Sequence, residues 1–225
     1  MNRATKTIVS TVGVILGISG LDHGVFEILQ GNQPTNGLLI EAIGPNHIMW
    51  EHGGEGAFTI LPTFLLTGIL AVLTGIAMII WSLKYIDSKR GPLVFFILNL
   101  LLFLFGGGIA APILFYPAAG LAATRIHKPL TWWRKGLPEG LRPALAKLWP
   151  YTLSIAVISM LIGLFIAITG YIPGMEEVDA NRILVIDLTI VFACGLGMFL
   201  LSFLSGFAAD IEENISVAYD SQETS

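Results

Sequence analysis

"PLVFFILNLLLFLFGGGIAAPILFYPAAGLAAT", residues 92–124, is the stretch on which the fold depends. As a single helix it would extend about 50 Å at 1.5 Å per residue, well beyond the roughly 30 Å hydrocarbon core of a bilayer. Three consecutive glycines at 106–108 interrupt the stretch near its middle, and Pro112 and Pro117 follow them. The segment therefore either crosses a membrane once with a long overhang, or breaks near the glycines and turns back.

The composition of the whole chain excludes a soluble globular protein. Hydrophobic residues make up 54% of it and charged residues 12%, and the mean hydropathy is +0.77. Windows of about 20 or more apolar residues lie near 7–30, 57–83, 92–124, 150–172 and 183–208. The sequence predicts an all-α, polytopic membrane bundle in which residues 1–208 form one domain, with five long hydrophobic segments and the third one broken.

The distribution of lysine and arginine between the two sides of the membrane distinguishes a single crossing by 92–124 from a hairpin. With a single crossing through 92–124, the 12 Lys and Arg residues divide equally between the two sides. If the segment turns back, all of them except Arg182 fall on one side. Because Lys and Arg of short loops stay in the cytoplasm, we expect a hairpin, cytoplasmic N- and C-termini, and loop 31–56 on the outer face. Two arms of about 15 residues reach only about 22 Å each, so the hairpin is re-entrant or short.

A plain bundle of five spans with undetermined orientation remains the alternative. In either arrangement, residues 125–149 are too polar to cross, and their leucine spacing predicts an amphipathic helix on the cytoplasmic face, shortened by Pro138 and Pro143. Residues 209–225 are acidic and polar, and this composition predicts a disordered tail.

The first span carries ionisable residues near its outer end. Asp22, His23 and Glu27 lie there, and His23 and Glu27 share a helix face because they are four residues apart. Small residues on or beside that face, which let another helix approach closely, are Gly13, Gly17, Gly20 and Gly24.

Asp187 falls at the same depth in the last span. We predict that Asp22, His23, Glu27 and Asp187 bind protons or a cation in an outward-facing pocket between the first, second and fifth helices.

Loop 31–56 adds a second group of ionisable residues at that level. It contains no Lys or Arg, so it attracts a proton, a cation or a metal ion. The candidate metal ligands are His23, His47, Glu51, His52 and Glu55. Imidazole with carboxylate suits a divalent metal such as zinc, iron, manganese or copper, and histidine also suits haem.

The spacing of these ligands matches neither H-E-x-x-H nor the paired E-x-x-H of di-iron bundles. Glycines 53, 54 and 56 also end any helix there. A structural loop, in which Glu55 interacts with the free amides at the start of the second span, is therefore the competing interpretation.

Three functions remain open from the sequence. The first is proton- or cation-linked transport of a small solute. The second is a membrane-embedded metal or haem protein with redox activity, and the third is a non-catalytic subunit of a larger membrane complex. The partners that remain open, besides the lipid bilayer, are another membrane protein and further copies of this chain in a homo-oligomer. The sequence disfavours an enzyme with a serine nucleophile, because there is no G-x-S-x-G motif. It also excludes nucleic-acid binding, since the chain has no basic patch of the kind that contacts phosphates. Cys194 is the one cysteine, so thiolate clusters are excluded as well.

Overall fold

The computed structural model describes residues 1–175 and 178–223. This part of the chain is mostly helical. The helices are α1 (Arg3–Leu29), α2 (Phe64–Lys84), α3 (Gly91–Leu104), α4 (Ala110–Ala123), α5 (Thr131–Gly136), α6 (Arg142–Thr169), α7 (Ala180–Thr189) and α8 (Gly197–Glu223), and a π-helical segment (Ile190–Leu196) joins α7 to α8. Two short strands, β1 (Leu39–Glu41) and β2 (Gly56–Phe58), pair in antiparallel fashion between α1 and α2.

Four of the described helices are long and apolar enough to cross a membrane. They are α1, α2, α6, and the continuous helix Ala180–Val217 made by α7, the π-helical segment and α8. Half of the apolar window of α1 is buried by protein, against 33% or less for the other three, so α1 is the central helix. Fully buried core side chains, packed between α1 and its neighbours, include Leu16, Met78, Phe95 and Phe199.

The outward face of α2 is an exposed apolar stripe. Its members recur every three or four residues, which places them on one side of the helix; they are Leu66, Ile69, Leu73, Ile76, Ile80 and Leu83. This face has the composition that lipid chains cover.

The third hydrophobic window forms two short helices. α3 and α4 have 14 residues each, and the helix is interrupted between Leu104 and Ala110. Gly106 and Gly108 adopt φ values of +89° and +95° there, a left-handed conformation that favours glycine. The long helices therefore number four among the described residues, with this broken pair between α2 and α5.

α3 and α4 run antiparallel. At one end of the pair, the Nε2 atom of His127 hydrogen-bonds the backbone oxygen of Asp87 at 2.7 Å. At the other end, the backbone N–H of Gly106 donates to the carbonyl of Phe58, just ahead of α2. The chain therefore leaves and returns at the same end of the bundle.

That end collects the basic residues, and we call it the basic end. The N-terminus joins it, because Asn2 donates from its backbone N–H to the carbonyl of Ile126 and from its side chain to that of Arg125. Lys6 pairs with Asp87 in the turn between α2 and α3. The opposite end, which carries residues 30–62, is called the loop end. The end of α6 and the start of α7 also lie there, because Trp50 hydrogen-bonds the carbonyl of Ala167 and His52 hydrogen-bonds Asn181, next to Arg182.

The described C-terminal residues differ from the disordered tail predicted for 209–225, of which residues 224 and 225 lie outside the described part of the chain. α8 continues to Glu223, so residues 209–223 are helical. The side chain of Asp210 is buried and accepts hydrogen bonds from the backbone N–H groups of Ala4 and Thr5, each at 2.9 Å. This carboxylate satisfies free amides at the start of α1, a tertiary role that an acidic composition does not reveal.

Residues 125–149 also differ from the predicted amphipathic helix. α5 contains six residues and ends before Pro138, while Pro143 occupies the first turn of α6, where a proline is tolerated. Residues 142–149 therefore begin the long α6 instead of lying in a separate surface helix.

α1 and α2 pack closely through glycines, as the small-residue pattern of α1 predicts. A Cβ atom added to Gly17 would lie 2.7 Å from the carbonyl oxygen of Gly75, and one added to Gly24 would lie 2.7 Å from that of Gly68. The backbones therefore approach closely along two helical turns, which leaves no space for a pocket between these helices.

Candidate functional site

A cavity of about 460 Å³ opens between α1, α6 and the junction of α7 with the π-helical segment. Its volume lies in the range of about 300–1,000 Å³ that small-molecule sites occupy. Most of its wall is apolar, contributed by residues such as Ile15, Ile18, Leu161, Leu164, Val191 and Phe192. Its ionisable lining residues are His23, Glu55 and Asp187.

The position of the cavity corrects the predicted location of the pocket. The pocket was expected between the first, second and fifth hydrophobic segments, but α6, from the fourth, forms the wall in place of α2. The glycine contacts that bring α2 against α1 are the reason. Along α1 the lining extends from Ile15 to His23, about 12 Å at 1.5 Å per residue, so the cavity reaches from the loop end toward the bundle interior.

His23 and Glu55 form an ion pair in this cavity. The Nε2 atom of His23 lies 2.9 Å from Oε2 of Glu55, and the two side chains are 6% and 23% exposed. Burial raises the pKa of Glu55, but the hydrogen bond from His23 and its positive charge lower it, and the net pKa lies below the usual value. Glu55 therefore faces His23 as a carboxylate.

Asp22 joins this pair to form a group of three potential ligands. One ligand atom each from Asp22, His23 and Glu55 lies within 4.8 Å of the other two. Among the described residues, Oδ2 of Asp22 and Nδ1 of His23 are buried and have no hydrogen-bond partner. The group thus combines one imidazole and two carboxylates with unused bonding capacity.

Asp187 faces the same cavity from α7. Its side chain is buried, its Oδ1 atom has no hydrogen-bond partner in the described structure, and it lies near enough to Glu55 for the two carboxylates to repel each other. None of the described lining residues is Lys or Arg. The cavity therefore carries an excess of negative charge that its own wall does not neutralise.

Glu27 lies apart from this cavity, although it shares a helix face with His23. It is fully buried, and neither carboxylate oxygen has a hydrogen-bond partner in the described part of the chain. A Cβ atom added to Gly106 would overlap both Oε1 of Glu27 and Cγ2 of Thr67. A Cβ atom at Gly108 would lie 3.0 Å from Nε2 of His23, so the glycine segment passes over both side chains.

The other predicted metal ligands lie elsewhere in loop 31–56. His52 hydrogen-bonds Oδ1 of Asn181 through Nε2 at 3.1 Å, Glu51 is exposed, and His47 is half-buried. None of the three belongs to the group around His23. Glu55 directly precedes β2, and its carbonyl accepts from the backbone N–H of Ala42, so the strand pair holds it beside His23 of α1. The loop between the strands instead carries Trp50 to α6 and His52 to α7.

Two features of the site have no clear signal in the sequence. Trp50 anchors the loop by donating from Nε1 to the carbonyl of Ala167 on α6, at 2.8 Å. The π-helical segment contributes Val191 and Phe192 to the cavity wall. Such segments are frequent at functional sites, but an ordinary apolar sequence encodes this one.

Comparison with family models, curated proteins and solved structures finds no match to this chain.

Proposed function

We propose that the protein is a membrane transporter that moves a small solute linked to a proton or another cation, and that the cavity on α1 is its binding site. The observation that carries the proposal is the pairing of His23 with Glu55 beside the unpartnered carboxylate of Asp187, in a cavity whose described lining has no Lys or Arg.

Electrostatics favours a cation as the bound species. A charged side chain within a membrane is costly unless it is paired, so buried carboxylates at membrane depth usually serve an ion or proton pathway. Glu55 is paired with His23, but Asp187 lacks a hydrogen-bond partner for Oδ1 among the described residues and repels Glu55. A bound cation would reduce this repulsion.

The distribution of basic residues supports an orientation for the transporter. The contacts of Asn2, Lys6 and His127 gather the basic segments at one end of the bundle. By the positive-inside rule, we place this end in the cytoplasm, and with it both termini. Loop 31–56 and the mouth of the cavity then face the outside.

The broken pair α3–α4 fits a hairpin that enters from the cytoplasmic side. Each arm spans about 21 Å at 1.5 Å per residue, less than the roughly 30 Å core. At its tip the backbone of Gly106 hydrogen-bonds Phe58 and that of Leu104 accepts from Ile60. Irregular backbone is tolerated at membrane depth when protein buries it, so this tip is a candidate gate beside His23 and Glu27.

Cysteine labelling tests this topology. On a Cys194→Ala background, we expect a membrane-impermeant maleimide added to intact cells to label Glu51→Cys and to spare Lys89→Cys and Lys128→Cys. Lys89 and Lys128 bracket the α3–α4 pair. A single crossing would place them on opposite sides, so labelling of only one of them would exclude the hairpin.

Transport is tested in proteoliposomes that contain a pH-sensitive dye, with the membrane potential clamped. Gradients of Na⁺, K⁺, Mn²⁺ and Co²⁺ are imposed in turn, and we expect at least one of them to drive a change in internal pH. Asp187→Asn and Glu55→Gln should abolish the response. Glu51→Gln, in the same loop but exposed and outside the cavity, is the matched control.

Two results would overturn the proposal. The first is a wild-type protein that produces no response to any of the four gradients. The second is a response that survives both Asp187→Asn and Glu55→Gln in folded protein.

A further inference from the structure

We infer that Asp22, His23 and Glu55 form a binding site for a divalent transition-metal ion at the loop end of α1. The identification of this ion as the transported cation rests on the proposed function, whereas the binding site itself rests on the geometry of the three side chains.

The types of ligand select the class of ion. Mg²⁺ and Ca²⁺ are bound almost entirely by oxygen, whereas imidazole nitrogen together with carboxylate oxygen is typical of zinc, iron and manganese sites. Here one nitrogen ligand, from His23, stands with two carboxylates, from Asp22 and Glu55. The nitrogen therefore favours a transition metal.

The distances are near those that a shared ion requires. Two ligands at about 2.0–2.2 Å from a tetrahedral ion are about 3.4 Å apart. His23 Nε2 and Glu55 Oε2 are already 2.9 Å apart, and the whole group lies within 4.8 Å. Binding would replace the shared proton of this pair with the ion and would draw the Asp22 carboxylate toward the other two ligands.

Charge and unused bonding capacity distinguish the group from an ordinary ion pair. A single His23–Glu55 pair would need no further anion, yet Asp22 brings a second carboxylate whose Oδ2 is buried without a partner among the described residues. Asp187, also buried and with Oδ1 unpartnered, faces the same cavity. Three carboxylates beside one imidazole are best satisfied by an ion of charge +2.

The surroundings leave the site open. Gly108 contacts the ring of His23 on the side of Nε2, where a side chain would crowd an ion. Three protein ligands also leave one position of a tetrahedral ion free for water or another ligand, the arrangement of exchangeable sites and not of structural four-ligand sites. An ion held in this way can be released, as a transported ion must be.

Metal binding is measured first on the whole 225-residue chain in detergent, after treatment with EDTA. Co²⁺ is titrated and followed by its visible d–d absorption, and Zn²⁺ is then added to displace it. We expect one Co²⁺ per chain, displaced by Zn²⁺. Asp22→Asn and His23→Gln should weaken Co²⁺ binding by at least about 10- to 100-fold, the loss that even an outer-shell partner of a ligand causes.

Matched variants separate this group from the other candidates in the loop. His52→Gln and Glu51→Gln, which lie outside the group, should bind Co²⁺ as the wild type does. Because His23 is buried, its variant could misfold, so melting curves without metal accompany each titration. Asp22→Asn supplies the decisive test if His23→Gln is unstable, since Asp22 is only half-buried.

The outcomes distinguish this inference from the proposed function. Absence of Co²⁺ binding, or binding that persists in Asp22→Asn, would overturn the metal site even if Na⁺ or K⁺ gradients still drive proton movement in proteoliposomes. Binding that Asp22→Asn abolishes supports the site. If such binding is found but Co²⁺ and Mn²⁺ gradients drive no response, the ion is not the transported species.

Discussion

Gly106 lies directly against Glu27, and no side chain fits between them. A Cβ atom built on Gly106 would overlap Oε1 of Glu27. Glu27 cannot move aside easily, because it is fully buried. The close approach of the α3–α4 break to α1 therefore depends on a glycine at this position, and the same segment reaches His23 through Gly108.

Gly106→Ala should destabilise the protein by at least about 2 kcal/mol. Two effects add: the left-handed φ of +89° costs an L-residue about 1–2 kcal/mol, and the overlap with Glu27 costs about 1–3 kcal/mol. Thermal unfolding of the purified protein in detergent measures the loss.

Gly31→Ala is the matched control for backbone strain. Gly31 has a similar φ of +73°, but an added Cβ would have no neighbour within 4 Å. Its substitution should therefore cost only about 1–2 kcal/mol. If Gly106→Ala and Gly31→Ala lose equal amounts of stability, the overlap between the new methyl group and Glu27 does not contribute to the effect of Gly106→Ala.

Gly75→Ala should loosen the pairing of α1 with α2. The new methyl group would lie 2.7 Å from the backbone oxygen of Gly17, and a backbone atom can yield only if the helices separate. We expect a loss of about 1–3 kcal/mol in thermal unfolding, despite the better helix propensity of alanine. Gly197→Ala is the control, because its nearest neighbour would be 3.7 Å away; it should be neutral or stabilising by up to about 1 kcal/mol. A stable Gly75→Ala protein would contradict the close packing.

The sequence predicted the features of the fold that depend on hydrophobic length and on glycine. The glycines at 106–108 marked the break of the third window, and those on α1 marked its close contact with another helix. The same reasoning cannot give tertiary partners. It therefore missed the α6 wall of the cavity and the cap that Asp210 provides for α1, because both depend on residues more than 100 positions apart.

The sequence placed single residues of the candidate site but could not give the contacts between them. His23 could be placed near the C-terminal end of α1 by counting residues along the first apolar window, and Glu55 could be placed just ahead of α2. Their contact arises because the β1–β2 hairpin returns Glu55 to α1. His52 belongs to the same loop, but the hairpin carries it to Asn181. Spacing along the chain could not separate these two residues.

Asp210→Ala should destabilise the start of α1. The carboxylate accepts from Ala4 N, Thr5 N and the hydroxyl of Thr5, the last at 2.6 Å, and Asn2 provides no side-chain cap of its own. We expect a loss of about 1–3 kcal/mol in thermal unfolding, since buried donors lose their partner. Glu213→Ala is the control: its contact with Arg3 is 3.9 Å and exposed, so the change should stay below about 1 kcal/mol. Equal effects of the two variants would exclude the capping role.

The pairing of Lys6 with Asp87 should make a small, pH-dependent contribution to stability. The hydrogen bond and charge of Lys6 lower the pKa of Asp87 below 3.8, and the charge of His127 acts in the same direction. A depressed pKa stabilises the folded state above the unfolded-state value, and this contribution is lost as the pH falls through the folded-state value. Asp87→Asn should therefore lower the melting temperature near pH 6, which corresponds to no more than about 1 kcal/mol of stability, and this difference should shrink as the pH falls below about 4. A difference that grows on acidification would contradict the sign.

Glu27→Met should leave the protein as stable as the wild type or more stable. The substitution removes two buried oxygens that have no partner among the described residues, and methionine fills a similar volume with a flexible apolar chain. Thermal unfolding should show a change between zero and a gain of about 1 kcal/mol, whereas Glu27→Lys, which buries a cation in the same space, should prevent folding. Because Glu27 does not line the cavity, Glu27→Met should also retain the response of proteoliposomes to cation gradients. If Glu27→Met folds but gives no response, Glu27 lies on the transport path. That result would support the sequence-based prediction, in which Glu27 and His23 share one face of α1.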